Sequence, residues 1–545
     1  MSAPGHLAIL AGLVAVLLFA GLGEVALTDR DEGANAGAAR EMLEQRSWIT
    51  PTLIYAPRFA KPAFVYWLMA AGYATLGASE VPARLPSAVA TALLVGLTYT
   101  FARWALDRAT AFRAALILLL AIEPVTLARM ALTDAVLVLW TTAAGFAFFR
   151  ACHGAAPTGR WYVAMYVALA LGLLTKGPVG LVVPVAGIAL YLALAGGFRR
   201  VFDEGRLGWG LVIMLLIAGP WYAAMFGEHG GAYLARARGE TLGRVFRTVT
   251  GPGGTALFYI PVVLVGFFPW SAFLPAALAC ALRGARARAR GERAGAVAVF
   301  ATAWTLAVLV FFSLVQSRLP HYVAPLFPAA ALLVAGAWPA RVPTLARALV
   351  AALGTLIGAA LLAAWTLGPL VAQLLAPAYP AAPAATLPGS VAVVGVLALA
   401  IGATAALRDG RRTFVALAVL TGAMLALGFH VALPAFNADF VAPPGQLVQR
   451  HLPDVRPCDD LVVFGPYRPS LVFYARRPVI FVDAPDRARL AEIAARPRRL
   501  FLLTPRAMLD RLPPSLAALP PLDAGGGYLI LASPPTSGPC TSTGR

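Results

Sequence analysis

The 545-residue chain is 60% hydrophobic and 13% charged, with a formal net charge of +19. Soluble domains carry about 25% charged residues, so this composition, with a mean hydropathy of +0.76, excludes a soluble globular protein and points to a polytopic membrane protein. The basic excess does not build a nucleic-acid-binding face, because the arginines lie in short clusters between apolar runs, as in loops on one side of a membrane.

The first apolar run, 7–26, has the roughly 20 residues needed to cross the hydrocarbon layer. No lysine or arginine precedes it and no small-residue cleavage site is clear, so it reads as a retained span and not a removed leader. "LTDRDEG" (27–33) follows at once, placing Asp29, Arg30, Asp31 and Glu32 at a span exit in a chain with only 25 acids. Ionisable groups at membrane depth are costly and usually functional. Asp31 could instead cap the helical segment that follows it, and Asp29 reads mainly as a cap or a solvated acid. Next come Arg58 and Lys61 in "RFAKPAF", then the short aromatic-rich run 63–77, read as an amphipathic helix lying in the interface.

Further spans are expected at 83–105, 110–128, 135–150, 161–175, 177–197, 207–226, 257–282, 295–315, 323–338, 346–371, 389–407 and 413–433. The total is about thirteen, allowing for tilt. With 63–77 interfacial, the arginine-rich loops at 103–113, 150–160, 199–206, 283–293, 341–347 and 408–412 all fall on one side. The positive-inside rule makes that side the cytoplasm, with the N-terminus inside and the C-terminus outside.

The outer face then receives the other charged segments. They are the loop of Asp31 and Lys61, "RMALTDA" with Asp134, "LLTKGPVG" with Lys176, the long loop 227–256 with Glu240, Arg244 and Arg247, and "QSRLPHY" with Arg318, His321 and Tyr322. Each has a structural alternative. Asp134 can cap the span it opens, Lys176 can neutralise a helix C-terminus, and Tyr322 can sit in the interfacial aromatic belt. Trp270 in "FFPWS" reads as a belt residue. Glu123, beside Pro124 in an apolar run, can pair with Arg129.

From about residue 435 the pattern changes. "DLVVFG" (460–465), "PVIFVD" (478–483) and "RRLFLLT" (498–504) read as buried strands, with helical spacing in "DRARLAEIAAR" (486–496). Residues 435–545 therefore form an expected small α/β domain, and residues 1–434 a membrane domain with an outer loop at 27–80. Cys458 and Cys540 flank the hydrophilic part and can pair if it lies outside the cytoplasm. Cys152 and Cys280 read as packing residues. The cysteine spacing does not match a zinc site, there is no Asp-x-Asp motif, and the six histidines are scattered. No obligatory metal or other cofactor is expected.

The segments "DRDEGANAGAAREMLEQRSWITPTL" (29–53), "RFAKPAFVYWLMAAGYATLGASEVPARLPSA" (58–88), "RMALTDAVL" (129–137), "LGLLTKGPVGLVVP" (171–184) and "FYIPVVLVGFFPWS" (258–271) with "SRLPHYVAPLFPA" (317–329) carry a resemblance. The chain resembles the bacterial aminoarabinose transferases and their relatives. These are lipid-linked-sugar glycosyltransferases of the C-type membrane fold, distantly similar to protein O-mannosyltransferases. The resemblance implies an inner-membrane enzyme that moves a sugar, with inversion, from undecaprenyl phosphate to lipid A, lipopolysaccharide or another envelope acceptor on the periplasmic face. It matches Asp31 to the catalytic acid, followed by Glu32, and Asp134 to the acid opening the fourth span. Lys61 matches the lysine gripping the carrier phosphate, Lys176 the lysine of "TKGP", and Tyr322 a tyrosine near the phosphate. Three departures stand out: Gly33-Ala34-Asn35-Ala36 replaces Ala-Arg-Tyr-Ala, Ala60 replaces a glutamate, and Thr241 replaces a histidine after Glu240. They imply a different donor sugar or acceptor.

The chemistry fits these residue types. A polyprenyl-phosphate sugar already has a good leaving group, so the enzyme must stabilise charge on the departing phosphate and position the nucleophile opposite. Compact cations suit the first task, with Lys61, Lys176, Arg58 and Arg318 as candidates. Asp31 takes the proton of a hydroxyl acceptor, or orients an acceptor that is already ionised. Glu32, Glu240, Arg244 and His321 are candidate substrate-binding residues. One rival reading is transfer to Ser/Thr in the manner of protein O-mannosyltransferases. Another, a transporter of lipid-linked sugars, calls for inverted repeats, and none is visible.

Overall fold

The structure is a computed structural model. It describes residues 3–29, 31–155, 158–196, 198, 204–246, 255–288, 293–380 and 386–535, without the side chains of 241–242, 244–246 and 284–288. The site-bearing elements are, in chain order, α1 (Ala3–Val14), α2 (Asp31–Gln45), β1 (Thr52–Leu53), β2 (Ala56–Pro57), α3 (Phe64–Leu76), α4 (Glu80–Ala105), α5 (Arg108–Leu119), α6 (Ile122–Ala128), α7 (Asp134–His153) and α8 (Gly159–Lys176). Each apolar run expected to span is mainly helical, although the first run is helical only to Phe19 and leaves 20–26 as turn and irregular chain. Among the described residues seven helices are long and apolar enough to cross a membrane, or up to nine if each bent pair is one span. The protein is a membrane protein with several apolar helices, and one large apolar cluster runs through them.

Two runs read as single spans are broken. α5 and α6 meet at 64°, and Ala256–Gly266 meets Trp270–Arg283 at 112°. Proline explains both, since it offers no N–H to continue a helix and clashes with the preceding turn. Pro124 lies in the first turn of α6 and Pro269 directly precedes Trp270. The breaks support each other, because Trp270 Nε1 donates to the Leu120 carbonyl at 3.3 Å. Trp270 is fully buried, which corrects its reading as a belt residue.

The outer loop at 227–256 is also corrected. The helix that begins at Leu207 runs to Phe246, broken only where Gly230 takes φ 52. Past that glycine, "AYLARARGETLGRVF" is rich in strong helix formers, which outweigh its polarity.

Two arginines fold the chain back after the first span. Arg129 donates to the carbonyls of Leu17, Ala20 and Gly21 at 2.8–3.1 Å, satisfying acceptors that a helix end leaves open. Arg84 does the same for Leu22, Val25 and Ala26 at 2.6–3.0 Å. Among the described residues no ion pair joins Arg129 to Glu123.

Towards the C-terminus, β3 (Asp460–Phe464), β4 (Ile480–Val482), β5 (Leu500–Pro505), β6 (Pro521–Gly525) and β7 (Tyr528–Ala532) form one sheet. Its order is β4-β3-β5-β7-β6, parallel across β4-β3-β5 and antiparallel beyond. Apolar clusters cover both faces, which is why β3 and β5 read as unbroken apolar runs. The hairpin β6–β7 went unread in the sequence, although "GGGYLIL" carries its turn and its buried strand. Cys458 is disulfide-bonded, and Cys540 lies outside the described residues.

Candidate active site

α2 is built almost wholly from small residues, "DEGANAGAAREMLEQ", and is buried from Glu32 to Met42. Small side chains let it be approached closely. A Cβ on Gly33 would lie 2.4 Å from the Ser470 Cα and N, so only glycine fits where α2 meets the helix Ser470–Ala475. Gly33→Ala is therefore expected to force the two apart, at about 1–3 kcal/mol for overpacking. Thermal unfolding in detergent should move down, with transfer activity falling alongside.

The turn after α2 delivers the cations. Ile54 and Tyr55 have φ of 57° and 58°, as a two-residue hairpin turn requires. The buried Glu41 carboxylate holds that turn, accepting from Ile54 N at 2.8 Å, Tyr55 N at 2.9 Å and Thr52 Oγ1 at 2.7 Å. β2 then returns the chain, carrying Arg58 and Lys61 back over the start of α2.

Lys61 Nζ lies 3.3 Å from Asp31 Oδ1, with Lys61 12% and Asp31 41% exposed. Asp31 is thus the reachable member, backed by a buried ammonium. Lys61 holds the Asp31 carboxyl well below the usual carboxylate range, against burial, with help from Arg58, His321 and Lys176. Burial pushes the Lys61 ammonium down, ahead of the opposing pull of Asp31. Arg58 Nη1 donates to Asn35 Oδ1 at 3.2 Å and to the Tyr66 hydroxyl, so it is held beside the pair by α2 and α3.

A second pair completes the cluster. Asp134 opens α7 and Lys176 closes α8, so packing these neighbouring helices brings them together. Lys176 Nζ donates to Asp134 Oδ1 at 2.6 Å. Acid at an N-terminus and cation at a C-terminus also suit the helix dipoles, while the N-cap position of α7 is Thr133 and makes no side-chain capping bond. His321 Nε2 stands 4.0 Å from the same carboxylate oxygen, and Lys176 Nζ lies 4.9 Å from the centre of the Tyr322 ring. Asn35 Nδ2 donates to the Ala131 carbonyl at 3.1 Å and ties α2 to the turn before Asp134. Three cations (Arg58, Lys61 and Lys176) thus face two carboxylates (Asp31 and Asp134). That leaves an excess positive charge suited to a phosphate.

The other expected residues lie elsewhere. Glu32 points away from the opening and is 1% exposed. Its carboxylate accepts from Arg84 Nε, from Thr28 N and Oγ1, and from Ala131 N, all at 2.8–2.9 Å. Its lone pairs are thereby occupied by the protein, so it positions the loop and does not meet substrate. Arg318 is buried and donates to the Ser313 carbonyl at 3.0 Å. Glu240 rides on the second half of the long helix, past Gly230. The Arg244 side chain and Arg247 lie outside the described residues. Glu123 faces Gly266 at the break of the bent helices, 3.1 Å from the position a Cβ there would take.

Several residues at the site were not legible as such. Asp29, read as a cap, pairs with Arg468 and accepts from Ser470 Oγ. Tyr474 accepts from Leu27 N at 2.7 Å and donates to Glu80 at 2.8 Å. The C-terminal segment thus grips both ends of the "LTDRDEG" turn, and Tyr467 comes near enough to Arg58 to feel its charge. The available signal was the density of chemistry in "GPYRPSLVFYARR" between two strands. Among the described residues no group of three or more His, Cys, Asp and Glu is placed to hold a metal ion.

Known proteins bear on this geometry. The family model described as dolichyl-phosphate-mannose-protein mannosyltransferase matches residues 60–223. An undecaprenyl phosphate-alpha-4-amino-4-deoxy-L-arabinose arabinosyl transferase of Erwinia tasmaniensis is 29% identical over 313 residues, 57% of this chain and 55% of that protein. The chain thus aligns with about half the length of such curated relatives. The crystal structure of ArnT from Cupriavidus metallidurans bound to undecaprenyl phosphate superposes with a TM-score of 0.76 at 23% identity, covering 97% of this chain and 98% of that one. The archaeal oligosaccharyltransferase AglB from Archaeoglobus fulgidus is more distant, at a TM-score of 0.53 and 13% identity over 94% of this chain and 72% of that one. In sequence over a little more than half its length, and in fold along nearly all of it, the chain is similar to the undecaprenyl-phosphate aminoarabinose transferases.

Proposed function

We propose that the chain is an inverting membrane glycosyltransferase that moves a sugar from undecaprenyl phosphate to lipid A, lipopolysaccharide or another envelope acceptor on the periplasmic face. The observation that carries this reading is the partly open Asp31 carboxylate ringed by Lys61, Arg58 and Lys176. In the reaction an acceptor oxygen attacks the anomeric carbon from the face opposite the phosphate. The bond from that carbon to the phosphate oxygen breaks, and the phosphate leaves with one more negative charge. Lys61, Arg58 and Lys176 stabilise that charge, and Asp134 holds Lys176 in place. Asp31 accepts the proton of a hydroxyl acceptor, or orients an acceptor phosphate that has none to lose. Tyr322 and His321 line the phosphate side.

The same reading gives about thirteen spans, the N-terminus in the cytoplasm, and residues 435–545 as a periplasmic domain closed by a Cys458–Cys540 disulfide. Catalysis requires no metal, so transfer should persist at its full rate after exhaustive chelation. Mass spectrometry of lipid A and envelope glycans with and without the gene tests the reaction. Loss of a sugar from one of them is the expected result, and unchanged envelope composition would count against it. The match of residues 60–223 to a protein mannosyltransferase model supports a second reading, transfer to Ser/Thr, for which the change would appear on membrane-protein peptides instead.

A further inference from the structure

At the end of the helical body opposite Asp31 lies a cavity of about 880 Å³, within the ~300–1,000 Å³ of ligand pockets. Its walls are apolar faces of α1, of α5 and of the helix Gly410–Leu427. Three basic side chains line it: His6, Arg113 and Arg411. His6 is 7% exposed and stacks on Phe112 at 4.2 Å, yet among the described residues its Nδ1 has no hydrogen-bond partner. Arg113 is likewise held on one side: Nη2 donates to Thr110 Oγ1 at 2.8 Å, while among the described residues the buried Nε has no hydrogen-bond partner. Asp107 does not supply one, because it caps α5 by accepting from Ala109 N and from Thr110 N and Oγ1.

An oily groove with three basic side chains at one end, two of them keeping a buried nitrogen without a hydrogen-bond partner among the described residues, matches a molecule with an anionic head and hydrocarbon tails. Basic pockets between membrane helices on the positively charged side bind such headgroups. We propose that this groove is a binding site for an anionic glycerophospholipid, with its phosphate at Arg113 and Arg411 and an acyl chain along α1 and α5. The site is separate from the acid–base cluster. It would fasten α1, and with it the entry to the "LTDRDEG" turn, to α5 and to the helix Gly410–Leu427.

The test uses the full-length protein in mild detergent, offered phosphatidylglycerol or phosphatidylcholine of the same chains and read by native mass spectrometry. Phosphatidylglycerol should be retained in preference. Each arginine near the headgroup contributes about fivefold, so Arg411→Ala should weaken retention about fivefold and Arg113→Ala with Arg411→Ala about twenty-fivefold. Gly422→Leu blocks the tail without touching charge: a Cβ at Gly422 meets only Leu120, at 3.7 Å, so the longer side chain extends into the groove. It should abolish retention, while Asp31→Asn should not change it. Equal retention of the two lipids, or wild-type retention in both Arg411→Ala and Gly422→Leu, would overturn the proposal.

Discussion

Asp31→Asn is expected to lower transfer about a hundred- to ten-thousandfold, the range for loss of a general acid–base group. Its fold should survive, because the side chain is 41% exposed and, among the described residues, the hydrogen bond it makes is to Lys61. Lys61→Ala should fall about a hundred- to a thousandfold, as when a donor to a developing anion is lost. The double variant should be little worse than the poorer single one, since the two act as a unit.

The pH profile separates their roles. Lys61 is the main reason the Asp31 carboxyl sits below the usual carboxylate range. Wild-type kcat/KM should therefore stay flat as pH falls through about 4, as far as Asp31 governs it. In Lys61→Ala the residual activity should acquire an acid limb at higher pH, because the charge that held the carboxyl down is gone. Stability follows the same sign. A depressed carboxyl contributes stability that is complete above its unfolded value and lost as pH falls through its folded one. Profiles of the residual activity of Lys61→Ala against wild type decide the matter, and an acid limb that does not move would sink the assignment.

Glu32→Ala should behave in the opposite way, although it changes the very next residue. It leaves Arg84, 4% exposed, as a buried guanidinium without its carboxylate. Breaking such a pair costs about 3–5 kcal/mol, enough to depress yield and thermal stability together. Burial pushes the Glu32 carboxyl up, and Arg84 with the bonds from Ala131 and Thr28 more than reverses it. Glu32→Gln keeps the shape and an acceptor oxygen, so it should lose less. Melting curves of the two adjacent variants, Asp31→Asn and Glu32→Ala, distinguish a residue that meets substrate from one that builds its seat. Equal melting points would refute the division.

The two neighbouring acids also show how far the sequence reaches. Both were legible as charge at a span exit, but their roles depend on which way each side chain points from the first turn of α2. That follows from Arg84, 52 positions away, and from Lys61, 30 positions away. The replacement "GANA" is similar. Its sequence suggested a changed substrate, whereas the packing against Ser470 gives Gly33 a structural reason of its own.

The sequence by itself determined the membrane class, where the apolar helices fall though not where two of them break, and the first three strands of the C-terminal sheet. These follow from hydrophobic period and span length, which are local properties. Only the tertiary structure decided which charges meet. It paired Asp31 with Lys61 and Asp134 with Lys176, withdrew Glu32 and Arg318 into supporting roles, and brought Arg468 and Ser470 across more than 400 residues to Asp29. Pairing of ionised groups is set by distance and desolvation in three dimensions. Neither is written in the spacing of residues along the chain.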